Sequence, residues 1–183
     1  FDVPVMGVVI PGARAAVEAT RNRKVGVVGT DATVQSGMYT KIIHSMAPDV
    51  TVIEKACPLF VPLVEEGFKD HNVTQEIIEY YLESMRSSDI DAMILGCTHY
   101  PLLRSKIREY MGEKIQIVNP AYETAMDLKK LLHEQGMEND GGSEAHSRYS
   151  FYVSDAAEKF RRFANTVMPF DVPTTNVVNI EEY

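Results

Sequence analysis

Cys97 and His99 stand two positions apart in the run Gly96-Cys97-Thr98-His99-Tyr100-Pro101, directly after the apolar tetrad Ala92-Met93-Ile94-Leu95. A glycine at a strand end permits a tight turn and a proline suits the first position of a helix, so this spacing predicts a short rigid loop carrying Cys97, Thr98 and His99. A helix N-terminus favours the thiolate, the reactive form of a thiol, and an imidazole two positions away can tune it or relay its proton. The plainer reading, with Cys97 as a small apolar filler and His99 as a satisfied surface imidazole, stays open on these residues alone. No metal site is expected: Cys97 and His99 are too few and too close, and Cys57, His44 and His71 lack the ligand spacing of a zinc centre. An acyl-transfer cysteine paired with a histidine is possible in chemistry, but its local signature is absent.

Two further stretches place polar groups beside apolar runs. In Gly26-Val27-Val28-Gly29-Thr30-Asp31-Ala32-Thr33 the glycines match neither nucleotide-binding fingerprint, so no phosphate or nicotinamide cofactor is expected. Thr30 and Thr33 instead offer hydroxyls and backbone N–H groups at a helix start, where a substrate carboxylate can be held; N-capping by Thr30 or Asp31 accounts for the pattern equally well. In Cys57-Pro58-Leu59-Phe60-Val61-Pro62-Leu63-Val64-Glu65-Glu66, a proline-framed apolar turn runs into an acid pair. Glu65 is the candidate to face a cleft, against the common alternative of a solvated helix face.

The elements that must position these residues alternate. Apolar β-branched runs near 5–10, 24–28, 50–54, 92–95, 115–118 and 149–153 read as strands, and stretches of helical period at 13–20, 32–47, 60–68, 74–86, 102–111, 122–135 and 156–167 read as helices. That is the pattern of an α/β fold with a mainly parallel sheet. Ligands of such sheets bind beyond the carboxyl ends of the strands, which puts Pro11-Gly12, the Gly29–Thr33 turn, Cys57-Pro58 and the Cys97 loop, both cysteines included, on the ligand-facing rim. Residues 136–147 are too polar and Gly-rich to join a core and read as a surface loop.

Composition excludes several function classes. The 18 basic against 26 acidic residues give a formal net charge of −8 and a pI near 5.1, leaving no electrostatic footprint for nucleic acid. No apolar run approaches the roughly 18 to 20 residues of a membrane span, and no secretory signal pattern opens the chain, so no membrane association and a cytoplasmic location are expected. In that compartment two cysteines read as catalytic or buried rather than disulfide-bonded. The opening Phe1-Asp2-Val3-Pro4-Val5 has no initiator methionine and runs at once into an apolar stretch, which leads us to expect further polypeptide upstream.

Taken together, the Cys97 run, the Cys57–Glu65 run, Val25-Gly26-Val27-Val28-Gly29-Thr30 with Ala32-Thr33, and Gly7-Val8-Val9-Ile10-Pro11-Gly12 resemble, in order and spacing, the motifs of bacterial glutamate racemases. The resemblance covers nearly the whole chain and is least distinctive from 149 to 180. It implies a parallel-sheet fold of the aspartate/glutamate racemase type, with one near-complete domain at 24–118 and two parts of another, 1–23 and a C-terminal return at 119–183. It also implies a cofactor-independent interconversion of L- and D-glutamate that supplies D-glutamate for peptidoglycan, performed by two cysteines on opposite faces of the α-carbon in a full-length homodimer. Cys97 matches one of those cysteines, Thr98 and His99 match residues that contact substrate or assist the thiol, and Thr33 and Glu65 match positions lining the pocket. The family's N-terminal motifs, including the Cys-Asn-Thr that carries the other cysteine, have no counterpart here, so the chain alone is expected to be poorly stable or inactive. Cys57 would lie on the same side of the substrate as Cys97, an arrangement that permits exchange of the α-proton but not inversion. A racemase for aspartate or another amino acid, and a non-catalytic binding protein on the same fold, are the alternatives.

Overall fold

The continuous apolar runs Val25-Gly26-Val27-Val28 and Ala92-Met93-Ile94-Leu95 lack polar alternation, so a strand made of either must be covered on both faces. The computed structural model, which describes residues 3–139 and 149–182, builds them into the centre of a four-stranded sheet. Strands β1 (Lys24–Gly29), β2 (Thr51–Ala56), β3 (Ala92–Leu95) and β4 (Gln116–Val118) lie in the order β2-β1-β3-β4, all parallel. The register sets Val27 against both Glu54 and Ile94, and Gly29 against Ala56.

Helices cover both faces. Helix α1 (Val9–Ala19) packs against α3 (Met38–Met46) and α7 (Pro120–Glu134), while α5 (Asn72–Arg86) packs against α6 (Arg104–Met111). Alternate strand residues feed the two cores. Val25, Val27, Ala92 and Ile94 meet Ala13, Ala16, Tyr39 and Ile43, whereas Gly26 faces Met85 and Ile90. Helix α1 lies close because it presents Gly12, Ala13 and Ala16 inward: a Cβ on Gly12 would come within 2.8 Å of the Pro120 ring. Arg14 then locks α1 to α7 through two bonds of 2.8 Å to the carboxylate of Asp127. The short helices α2 (Asp31–Ser36) and α4 (Phe60–Glu65) follow β1 and β2 directly, at the carboxyl edge of the sheet.

The contacts group the chain into Phe1–Met137 and Glu138–Tyr183. Helix α1 packs on β3 and β4 as well as on α3, and α7 packs on α1. Within the second unit, β5 (Tyr152–Val153) pairs in parallel with β6 (Asn176–Val177), and α8 (Ala157–Val167) lies between them in sequence. The Asn165 side chain accepts from the Val172 N–H at 2.6 Å.

Two expectations are corrected, and one strand is new. Residues 5–10 form no strand: α1 begins at Val9, and Pro11, which falls in its first turn where no N–H bond is needed, is part of the helix rather than a loop after a strand. The helix read over 32–47 is two helices, broken at Gly37, whose φ of +58° ends α2 and opens α3. β6 was not foreseen, since two exposed residues carry no periodic signal. The loop expected at 136–147 lies largely outside the described residues; Gly136 adopts φ +63° after α7, and 137–139 are irregular.

Candidate active site

The strand order reverses between β1 and β3: the chain leaves β1 for β2 on one side and returns past it to β3 on the other. The crevice of an open α/β sheet forms at such a point, between the carboxyl ends of those strands. Those ends are Gly29-Thr30 and Gly96-Cys97, so the topology brings two of the candidate stretches together. Gly96 N–H donates to the Val28 carbonyl at 2.7 Å, and a Cβ on Gly96 would sit 3.0 Å from both that carbonyl and the Tyr39 ring. No larger residue fits at the head of the Cys97 turn without displacing one of them.

Cys97 is half-buried and opens onto a cleft of about 170 Å3 lined by residues that include Val8, Tyr39, Thr98 and Asn119. After it, Tyr100–Leu103 forms a 3-10 turn leading into α6, with Pro101 near its start, and Cys97, Thr98 and His99 lie in the loop before that turn, where the sequence predicts one. His99 Nε2 lies 3.3 Å from Glu65 Oε1 at the end of α4, and its Nδ1 lies 3.3 Å from the Thr98 hydroxyl. An ionised carboxylate only accepts, so in the neutral imidazole Nε2 carries the hydrogen and Nδ1 accepts from Thr98 O–H. The Glu65–His99–Thr98 series thus runs from the end of α4 to the cleft wall.

Thr30 caps α2, accepting from the Thr33 N–H at 3.3 Å, with the two hydroxyls 3.0 Å apart. The capping reading therefore holds for Thr30. Thr33 reaches the Gly96 carbonyl at 3.4 Å, and a Cβ on Gly29 would come within 2.8 Å of its methyl group, so it packs between the two strand-end glycines. The structure places Cys97 and Thr98 on the cleft, joins His99 to Glu65 beside it, and sets Thr33 behind the turn; the last three are not among the residues lining the cleft.

Cys57, expected on the rim, follows β2 but is wholly buried, with its thiol directed at the Lys55 carbonyl at 3.8 Å. Burial pushes it up to about 12, partly offset by the charge of Lys55. The sequence reading missed two residues. Tyr39 forms a wall of the Cys97 cleft, and burial, followed by the charge Cys97 can carry, pushes its phenol up to about 12. Asn119 follows β4 and caps α7 by accepting from the Ala121 N–H at 3.1 Å. The same strand-end rule, applied to Asn119-Pro120, would have found it. Tyr39 carries no such signal, since a helical aromatic reads as core.

A family model described as Asp/Glu/Hydantoin racemase matches residues 1–127. A glutamate racemase of Geobacter metallireducens is 42% identical over 165 residues, which are 90% of this chain and 60% of that protein. Among solved structures, glutamate racemase isoform RacE1 of Bacillus anthracis superposes with a TM-score of 0.88 at 34% identity, covering 98% of this chain and 66% of that one. The glutamate racemase of Francisella tularensis in complex with D-glutamate also gives 0.88, at 29% identity, over 100% of this chain and 66% of that one. The chain thus spans 60–66% of the length of these relatives, and the expected racemase-type α/β fold with its parallel sheet is the one found.

Proposed function

Because the chain belongs to the Asp/Glu/hydantoin racemase family, we propose that it works in a cofactor-independent glutamate racemase and that Cys97 is one of its two acid–base thiols. The observation that carries this reading is a half-buried cysteine at the strand-order reversal, opening on a cleft and flanked by the Thr98–His99–Glu65 series. The Cys97 thiolate removes the α-proton of glutamate from one face, and a thiol on the opposite face returns a proton to the planar carbanion. In the reverse direction the two exchange roles. With no cofactor as an electron sink, the charge that develops on the substrate carboxylate is met by fixed hydroxyl and N–H donors in a cleft that excludes water. Thr98, on the cleft wall, offers its backbone N–H and hydroxyl for this. Thr33, held against Gly96, acts by shaping the turn or by reaching a carboxylate when substrate binds. Glu65 keeps the imidazole oriented.

Cys57 is not the opposing thiol in this reading, since it is buried beneath the same sheet edge and its proton is held tightly. The opposing thiol then comes from polypeptide beyond these 183 residues, which fits the share of its relatives that the chain spans. By the same proposal 24–118 corresponds to one family domain, with 1–23 and 119–183 belonging to the other. We further take the whole enzyme to be a cytoplasmic homodimer making D-glutamate for peptidoglycan; among the described residues no helix is long and apolar enough to cross a membrane.

The test is to follow optical activity of L- and D-glutamate, with both aspartate enantiomers alongside, in the whole encoded protein. Loss of rotation from both glutamates and neither aspartate is expected. Turnover of aspartate in preference would transfer the reading to an aspartate racemase.

A further inference from the structure

Tyr100 is wholly buried, yet its hydroxyl has a partner: it donates to the Cys57 carbonyl at 2.8 Å, across 43 positions of sequence. That carbonyl already accepts from the backbone N–H of Phe60 at 3.1 Å, and the Cys57 N–H is anchored to the Gly29 carbonyl at 2.9 Å. The Tyr100 ring meets Phe60 edge-on at 5.0 Å, and Phe60 meets Tyr81 likewise at 5.5 Å. A phenylalanine at position 100 would fill the same space without bringing a polar group into the aromatic cluster, and burying a hydroxyl is costly unless it is bonded. The Cys57 carbonyl does not need the tyrosine to be satisfied. What the hydroxyl adds is geometric: Tyr100 follows His99 directly, and Phe60 opens the helix that ends at Glu65.

We propose that Tyr100 is a positioning residue which, through the Cys57 carbonyl and the Phe60 ring, holds α4 against the Cys97–Pro101 turn and so sets the contact between His99 and Glu65. The consequence for catalysis rests on the role proposed above for that pair; the coupling itself does not.

The experiment has two arms. In the first, the imidazole 15N resonances of His99 are recorded in the protein and in its Glu65→Gln and Tyr100→Phe variants. Tyr100→Phe should move them in the direction Glu65→Gln does, by about half as much or more; resonances left in place by Tyr100→Phe would overturn the proposal. If that variant does not fold, Phe60→Leu, which loosens the same clamp from α4, should give the same displacement, and no displacement there would also overturn it. In the second arm, kcat of the whole encoded enzyme should fall roughly tenfold in Tyr100→Phe with KM little changed, as expected for misplacement of a group near the chemistry. In the Glu65→Gln background the same change should cost less than about twofold, since coupled residues are not additive. An equal loss in both backgrounds, alongside a lower melting temperature, would assign Tyr100 a purely structural role. Shifted resonances with kcat untouched in every variant would leave the coupling standing and sink the catalytic role of the pair.

Discussion

The two cysteines differ in the one property that decides reactivity at neutral pH, access of the thiolate to a ligand. Cys97 opens on the cleft; Cys57 has no exposed surface and is pushed up to about 12 by burial. With a small alkylating reagent at pH 8, mass spectrometry should find Cys97 modified in the folded protein and Cys57 only after denaturant is added. Comparable rates at the two would contradict the assignment. The same shift fixes a pH dependence. A thiol freed by unfolding ionises near pH 8.5, whereas folded Cys57 holds its proton to about 12, so the unfolded chain binds fewer protons in between. The melting temperature should therefore fall as pH rises from about 9 towards 12, with the buried phenols of Tyr39 and Tyr100, both pushed up by burial, acting in the same sense. Replacing Cys57 by Ala should flatten part of that decline. At this scale Cys97, Thr98, His99 and Glu65 were legible in the sequence as types and spacings, while the depth of Cys57 was not, because burial beneath a strand end depends on Tyr100 arriving from 43 residues away.

Between residues and fold stand the turns and caps that set each element. Gly37 sits at φ +58° between α2 and α3, where a side chain costs about 1–2 kcal/mol. Gly37→Ala should lower stability by about that amount in urea titration, with no change in Cys97 alkylation. Gly12→Ala should destabilise by about 1–3 kcal/mol, since its Cβ would strike the Pro120 ring at 2.8 Å and force α1 off α7. At the other edge of the sheet the carboxylate of Asp91 accepts from the backbone N–H groups of Arg21 at 2.7 Å and Asn22 at 2.9 Å, and from the Thr20 hydroxyl. Burial raises its affinity for a proton, but these bonds outweigh that and hold it below the usual carboxylate range. Its contribution is therefore present above about pH 4 and lost as pH falls through the lower folded value. Asp91→Asn should reduce stability at pH 7 and blunt the acid-side decline of the melting temperature, and an unaltered acid limb would refute this. The strands β1 to β4 were legible from continuous apolar runs, but the apolar run at 5–10 misled, because composition cannot register that α1 needs its small residues against Pro120.

Over the whole molecule, the strand order β2-β1-β3-β4 creates the crevice that a sequence motif can only label. Pairing of β1 with both β2 and β3 joins residues from separate stretches, which is why the alternation of elements was readable and the junction of Gly29 with Gly96 was not. Along α1 and α7 the side chains of Ile10, Tyr122 and Met126 stay exposed at 55%, 59% and 47%, more apolar surface than two helices packed on each other need present to water. These 183 residues expressed alone should consequently bind a hydrophobic dye or self-associate, and a monomer that binds no dye would argue that these faces need no cover. Everything proposed for catalysis depends, however, on Cys97 as one of two thiols acting from opposite faces of a substrate. The direct test is α-proton exchange of L- and D-glutamate in heavy water, followed by NMR, for the whole encoded protein and its Cys97→Ala variant. On that proposal the unaltered protein exchanges and inverts both enantiomers and the variant inverts neither. Inversion by Cys97→Ala at the unaltered rate would contradict it.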